Sequence, residues 1–294
     1  MQTARLPRLD LRRLIILLAM LSGLITLGIG FYASYKVQRD SLIGSTLAAN
    51  HAYAAKLADG SEEFFRAAQQ QLAVSAEIVA ARFPEVSVLD AEARRLRQQT
   101  DSFNAVVIVS AEGKVLATAP ATGLLVGQKL SSPGASQALA ERKPLISSPY
   151  ISALGTLVVL ISQPIVADDG TYLGYIGGVI YLRERNILHS MLGEHFYRDG
   201  SYLYAVDQTR RLLYHPQPSR LGTVVGENAV IDRVLQGESG SLRVINSQGV
   251  DMLAGYAASP AAGWGIVAQR PTADTLQPLD DLMLKVIRQT APLA

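Results

Sequence analysis

Hydrophobic residues are densest near the start of the chain, where residues 14–35 form a run of 22 without a charge between Arg13 and Lys36. At a rise of about 1.5 Å per residue, a helix of this run is about 33 Å long and can cross the roughly 30 Å hydrocarbon core of a bilayer. The run is longer than the apolar part of a cleaved signal peptide. It therefore predicts an uncleaved transmembrane helix.

Positive charges flank this predicted helix unequally. Four arginines precede it and two cations follow it: Arg5, Arg8, Arg12 and Arg13 before, Lys36 and Arg39 after. Because positive charge favours the cytoplasmic side, we expect residues 1–13 in the cytoplasm and the bulk of the chain in the periplasm. The expected location is the inner membrane of a bacterium, with a single N-terminal anchor.

Apolar residues in the next segment, residues 36–99, recur at helical spacing. Intervals of three and four residues separate Phe65, Ala68, Leu72, Ala76, Val79 and Phe83. This spacing forms one apolar stripe of an amphipathic helix. We predict a stalk near the membrane that becomes a packing surface further along, followed by a second helix at about 88–99.

From residue 100 the pattern changes to short β-rich runs separated by turns. Such runs lie at 104–109, 115–118, 157–161 and 172–182. A strand, a helical crossing and three antiparallel strands are typical of a PAS-like α+β module. We place this membrane-distal module at residues 100–188.

The same order of runs recurs in a membrane-proximal module, residues 189–275. Val109 aligns with Val206 and Val115 with Leu212, each 97 residues later. Such self-similarity argues for a tandem duplication. The predicted fold class is α+β, with one transmembrane helix, a long stalk helix and two tandem PAS-like antiparallel-sheet modules. Residues 276–294 are expected to form an exit helix that leads to a second transmembrane segment.

The amino-acid composition excludes several classes of protein and of binding site. Hydrophobic residues make up 49% and charged residues 18% of the 294 positions, which excludes a disordered chain. A net charge of +2 argues against a nucleic-acid partner. There is no cysteine, and the four histidines lack metal-ligand spacing, so we predict neither a metal site nor a cofactor. His215, before Pro216, is expected to be a turn histidine.

Three stretches carry a family resemblance: residues 148–164 (SPYISALGTLVVLISQP), 174–180 (GYIGGVI) and 206–216 (VDQTRRLLYHP). They are similar to the S-x-P-Y segment, the G-x-x-G strand and the V-D-x-x-G-x-[IL]-x-x-H-P hairpin of double-Cache sensor domains. Arg210 stands where the family hairpin has glycine. The resemblance covers roughly residues 36–280.

The resemblance implies the extracytoplasmic ligand-sensing region of a transmembrane signalling protein. The run 195–202, with His215 and Pro216, looks most like the sensors of diguanylate cyclases, which act in cyclic-di-GMP signalling. The alternatives are a methyl-accepting chemoreceptor, a histidine kinase and a stand-alone membrane-anchored binding or adaptor protein. No catalytic motif occurs in the sequence. By the same analogy a homodimer is expected, with the apolar stripe as its contact face.

The resemblance also places the ligand in the distal module, where Tyr150 matches a ligand-contacting tyrosine of the amino-acid-binding members. The positions where those members carry acids are Ser152 and Tyr181 here, and their Arg-x-Trp-Tyr element is absent. A buried ammonium group without a carboxylate partner is costly. We therefore expect that free amino acids are not bound by the usual arrangement of this family.

The polar groups left to line the pocket are Ser147, Tyr150, Ser152, Gln163 and Tyr181, with Arg142 or Lys143 nearby. Hydroxyl and amide donors beside a cation suit a carboxylate or another small polar anion. We predict such a ligand. Alternative roles are ring packing in a turn for Tyr150 and closure of a strand end for Gln163.

Overall fold

The computed structural model of the protein describes residues 11–99, 101–121, 125–193 and 200–290. Arg5 and Arg8 of the orientation argument, and residues 195–199 of the cyclase-like run, lie outside the described residues. The chain divides into two compact units, residues 1–45 with 273–294 and residues 46–272.

The described part of the chain begins with two helices, and groups of two to four strands separated by short helices follow, before a last helix. The helices are α1 (Leu11–Ala80), α2 (Val86–Gln99), α3 (Pro133–Glu141), α4 (Ile187–Leu192), α5 (Ala229–Leu235) and α6 (Thr272–Thr290). The strands are β1 (Ala105–Ser110), β2 (Val115–Ala119), β3 (Leu145–Ile146), β4 (Tyr150–Ile151), β5 (Leu157–Val166), β6 (Tyr172–Tyr181), β7 (Tyr202–Val206), β8 (Leu212–Tyr214), β9 (Gly240–Ile245), β10 (Asp251–Ser259) and β11 (Trp264–Pro271). The predicted α+β class is confirmed.

The first unit contains the beginning of α1 and nearly all of α6. Helix α1 is long and apolar enough to cross a membrane. Its apolar side chains there are exposed, as for Leu27 at 72%, which suits a lipid surrounding. The Tyr35 hydroxyl donates a hydrogen bond to Asp280 Oδ1 of α6 at 2.9 Å.

In the second unit, the distal module is built on a sheet of order β2-β1-β6-β5-β3, with β4 also paired to β5. Its strand pairs are antiparallel. Helices α1 and α2 cover one face, and α3 covers the other. Because both faces are covered, β1 and the first half of β5 are apolar at nearly every position. Phe103 packs on Gly178, where a Cβ would overlap its ring.

The proximal module has the strand order β8-β7-β11-β10-β9. Helix α1 packs on one of its faces, where Asn50 Nδ2 donates to the Leu253 carbonyl at 2.7 Å. Further along α1, the Phe65 ring meets the Trp264 ring edge to face, with centroids 4.5 Å apart. Helix α5 covers the other face. The second half of α1 is thus part of the core of both modules.

The apolar stripe of α1 is buried within the chain. Phe65, Leu72 and Val79 are each 0% exposed and belong to one core with residues of both sheets. A stripe that packs on its own sheets is not available to a second subunit, so its prediction as a dimer contact face was wrong. The homodimer itself stays a prediction.

The first hairpins of the two modules repeat the same hydrogen bonds. The Ser110 amide donates to the Lys114 carbonyl, and 97 residues later the Asp207 amide donates to the Arg211 carbonyl. These equivalent bonds support the tandem duplication that the sequence predicted.

Arg210 occupies the glycine position of this hairpin. Its φ is +66°, close to the +86° of Gly113 at the equivalent place in the distal module. The guanidinium donates to the carbonyls of Val225 and Gly226 and to Asp232 Oδ1. These bonds offset the cost of a left-handed backbone at a residue with a Cβ.

Candidate functional site

A cavity of about 60 Å³ lies in the distal module, between the sheet and the segments that cross it. Apolar side chains form most of its wall: Val107, Leu125, Leu130, Val158, Leu160 and Val179. The polar side chains on the wall are Thr118, Ser132, Tyr150, Ser152, Tyr175 and Tyr181. Among the described residues, none with a charge lines it. The cavity therefore suits a ligand whose apolar part fills the wall and whose polar part bonds to hydroxyl groups.

Tyr150 reaches this cavity from β4, where it pairs with Val158 of β5. Its ring packs on Gly134 in the first turn of α3, so closely that a Cβ there would overlap the ring. Burial raises the pKa of the Tyr150 hydroxyl to about 12, and a hydrogen bond with Ser132 offsets part of this rise. The hydroxyl is therefore neutral near pH 7 and can donate and accept.

Tyr175 also lines the cavity, and sequence reasoning missed it. It lies on β6, is 1% exposed, and its hydroxyl has no hydrogen-bond partner among the described residues. Burial raises the pKa of this hydroxyl, and Tyr150 and Tyr172 add to the rise. Leaving a buried hydroxyl unpaired costs about 1–3 kcal/mol. The available signal was the two-residue period of a strand, which places Tyr175 on the same face as Tyr181.

Ser152 and Tyr181 lie on the cavity wall, as the sequence proposed. The Ser152 hydroxyl accepts hydrogen bonds from the amides of Leu154 and Thr156, each at 3.3 Å, and so holds the turn before β5. Tyr181 ends β6, and burial raises the pKa of its hydroxyl, with a further rise from Glu184. Both side chains therefore line the cavity, and Ser152 also supports the turn.

Three other predicted ligand residues do not line this cavity. Ser147 is buried, and its hydroxyl accepts from the Leu160 amide at 2.9 Å. Gln163 is on the opposite face of β5, because strand residues alternate and its neighbours Ile161 and Ile165 belong to the core against the helices. Arg142 is exposed at the end of α3, with its guanidinium 5.0 Å from the Tyr172 ring centroid. The predicted cation of an anion pocket is therefore not on the wall.

The family of the chain follows from its sequence profile. The profile of the Cache domain family matches residues 34–279. The chain therefore belongs to the Cache domain family, and its two antiparallel sheets and long N-terminal helix form a double Cache fold. Domains of this type are extracellular ligand-binding sensors, which is the class of this protein.

Solved structures share this fold. An extracellular ligand binding receptor from Desulfohalobium retbaense DSM5692 matches with a TM-score of 0.61 at 13% identity, over 74% of this chain and 39% of that chain. This chain thus spans about two fifths of that receptor's length. The ligand-binding domain of the Pseudomonas fluorescens chemoreceptor CtaA, in complex with L-isoleucine, matches with a TM-score of 0.61 at 18% identity, over 82% and 98%.

The ligand-binding domain of the Pseudomonas aeruginosa PAO1 amino acid chemoreceptor PctB, in complex with L-Gln, matches with a TM-score of 0.59 at 15% identity. That match covers 80% of this chain and 97% of the other. At these identities the likeness shows the fold. A comparison with curated protein sequences found no match.

The expectation that free amino acids are not bound by the usual arrangement was wrong. Domains of the same fold hold L-isoleucine and L-Gln, so the absence of acids at Ser152 and Tyr181 does not exclude this ligand class. The physical reason is that neutral hydroxyls and backbone groups can also meet the charges of a zwitterion, since a hydroxyl both donates and accepts. Tyr150 and Tyr175 supply such hydroxyls here.

Proposed function

We propose that the chain is the sensory input of a transmembrane signalling protein and that the distal cavity binds its ligand. Three observations support the proposal: a membrane-spanning candidate in α1, the double Cache fold, and a cavity with an unpaired buried hydroxyl at Tyr175. The unpaired hydroxyl of Tyr175 is the observation on which the ligand site depends. An unpaired buried hydroxyl lowers stability unless a ligand pairs with it.

The wall indicates the class of ligand. Aliphatic side chains dominate it, and the hydroxyls of Tyr150 and of the buried Tyr175 provide polar groups. We therefore propose a small amphipathic ligand with an aliphatic part. The first candidates are aliphatic amino acids, because the CtaA ligand-binding domain, which has this fold, is solved in complex with L-isoleucine and with L-leucine.

The experiment is calorimetric titration of the full chain, reconstituted in lipid nanodiscs, with L-isoleucine and L-leucine. Tyr175→Phe removes the unpaired hydroxyl and keeps the ring, so it is expected to weaken binding by roughly tenfold. Tyr172→Phe is the matched control. Its hydroxyl is also buried without a partner among the described residues, but its ring is not on the cavity wall.

Equal loss of affinity in both variants would contradict a role for Tyr175 in the site. Absence of binding by either amino acid would overturn this ligand class. A screen of other small amphipathic compounds would then decide whether the cavity binds a ligand at all.

We also propose that the output is a cytoplasmic diguanylate cyclase. The support is the resemblance of residues 200–202 and 215–216, with 195–199 outside the described residues, to sensors of that class. A chemoreceptor is the second candidate, because two of the similar solved domains are from chemoreceptors. Sequencing the natural reading frame past the codon for Ala294 separates the two. A GGDEF-type domain supports the cyclase, and a long heptad-repeat coil supports the chemoreceptor.

A further inference from the structure

A second cavity lies in the proximal module, beside β7, β8 and β11. Its volume is about 20 Å³ and it opens to solvent, so it has room for the end group of a small ligand. Unlike the distal cavity, its wall contains a cation, an imidazole and side-chain amides: Arg220, His215, Asn228, Asn246 and Gln269. His215 and Gln269 are 7% and 2% exposed. This polarity sets the proximal cavity apart from the cores around it.

The two cavities occupy equivalent places in the repeated fold. Val179 pairs with Ala105 across the distal sheet, and Gln269 pairs with Tyr202, 97 residues after Ala105, across the proximal sheet. The loop after the hairpin repeats at an offset of 95. The Gln128 amide donates to the Leu125 carbonyl, and the Thr223 amide donates to the Arg220 carbonyl.

Residues on the walls of the two cavities can therefore be matched by position in the repeated fold. Thr118, Leu125 and Val179 of the distal wall correspond to His215, Arg220 and Gln269 of the proximal wall. The proximal module therefore keeps the place of the cavity and replaces one hydroxyl and two aliphatic side chains with a histidine, an arginine and a glutamine. A replacement of this kind changes the class of ligand that the cavity can hold.

Arg220 is the positive charge of the proximal cavity. It makes no salt bridge with any acid of the described residues. One terminal nitrogen lies 3.2 Å from His215 Nε2, and the other donates to the Ser247 hydroxyl at 3.3 Å. A half-buried guanidinium that pairs with no carboxylate of the described residues can bind an anion.

The hydrogen bonds of His215 leave its Nε2–H as a donor beside the guanidinium of Arg220. The Gln217 amide donates to His215 Nδ1 at 3.0 Å, so a neutral imidazole carries its proton on Nε2. Burial and Arg220 lower the pKa of His215 to about 4, which keeps the ring neutral at physiological pH. Nε2–H and the guanidinium of Arg220 are then two donors 3.2 Å apart. An oxyanion would accept from both.

We propose that the proximal cavity is a second ligand site, which binds a small carboxylate that accepts hydrogen bonds from Arg220 and from the Nε2–H of His215. The planar fork of a guanidinium matches the two oxygens of a carboxylate. The amide of Gln269 lines the same wall and can donate a further hydrogen bond. The site is distinct from the distal cavity and does not depend on the ligand proposed there.

The experiment is saturation-transfer NMR of acetate with the full chain in lipid nanodiscs, and acetamide serves as the neutral ligand of the same shape. Acetate is expected to give a saturable signal and acetamide none. The variant Arg220→Leu carries the residue that the distal module has at the equivalent position, Leu125. We expect it to weaken acetate binding by roughly tenfold or more. The matched control is Arg82→Leu, at an exposed arginine in the turn after α1.

Loss of the acetate signal in Arg220→Leu with an unchanged signal in Arg82→Leu supports the site. Equal signals for acetate and acetamide, or an acetate signal that survives Arg220→Leu, overturn it. Inorganic phosphate is the third probe. Displacement of acetate by phosphate supports oxyanion binding at Arg220, whereas phosphate binding without acetate binding overturns the assignment to a carboxylate.

Discussion

At the scale of single residues, the candidate site depends on contacts between side chains that are distant in sequence. Tyr150 keeps its place because Gly134 has no Cβ. Tyr175 is buried beneath the same cavity, with its hydroxyl unpaired among the described residues. The geometry of the distal cavity is therefore sensitive to changes at small residues that never touch a ligand.

Gly134→Ala is predicted to displace the Tyr150 ring, because the new Cβ would overlap it. We expect a loss of about 1–3 kcal/mol in the free energy of unfolding, as for other overpacked cores. Weaker ligand binding should accompany it. Urea denaturation and calorimetric titration measure the two effects.

The control for this variant is Gly60→Ala in α1, where an added Cβ meets nothing within 4 Å. It should leave the stability unchanged or raise it by up to about 1 kcal/mol, because alanine favours a helix. A Gly134→Ala protein as stable as wild type would contradict the packing of Tyr150 on Gly134.

His215 is predicted to make stability depend on pH. Burial and Arg220 lower its pKa from 6.5 to about 4 in the folded chain. Between those values the unfolded chain binds the proton more readily, so this contribution to stability is present above pH 6.5 and is lost as the pH falls towards 4. Thermal unfolding at several pH values should show it.

His215→Asn should flatten the pH dependence of the melting temperature in this range. The matched control is His51→Asn, at a partly exposed histidine of α1. An identical pH profile for wild type and His215→Asn would show that His215 does not titrate as the structure implies.

At the scale of elements, α1 is the helix on which both sheets pack. Phe65 is fully buried and lies against Trp264 of β11. Truncation to alanine leaves a cavity and removes the ring contact. We predict that Phe65→Ala lowers the free energy of unfolding by about 3–5 kcal/mol. Urea denaturation of the full chain in nanodiscs measures it.

Val74→Ala is the control on the same helix, because Val74 is 50% exposed. It should change stability by no more than about 0.5 kcal/mol. If the two variants lose similar stability, Phe65 is not part of the core that the structure describes.

The stripe on α1 also shows where an element can be predicted and where it cannot. Spacings of three and four residues were enough to predict a helix with one apolar face. They gave no information about what covers that face. The structure covers it with the sheets of the chain itself, because burial inside one chain and burial against a partner need the same residue pattern.

At the scale of the whole molecule, the proposed function requires the Cache domain outside the cytoplasm. We predict that alkaline phosphatase joined after Ala294 is active in cells, because the enzyme matures only after export. Deleting residues 14–35 should abolish that activity, since it removes the apolar run of α1. An inactive full fusion at normal abundance would contradict the predicted orientation.

The sequence alone determined the class of fold. Two-residue and 3.6-residue periods are local properties, so they predicted the long helix and the β-rich runs, and the offset of 97 residues predicted the repeated module. Tertiary structure decided which side chains meet. Strand pairing and helix packing decided which faces of β5 and β6 border the cavity, so that Gln163 lies away from it and Tyr175 on its wall, and chain folding brought Gln269 into one cavity with His215 and Arg220. These pairings depend on contacts between segments far apart in the chain, and a local pattern does not encode them.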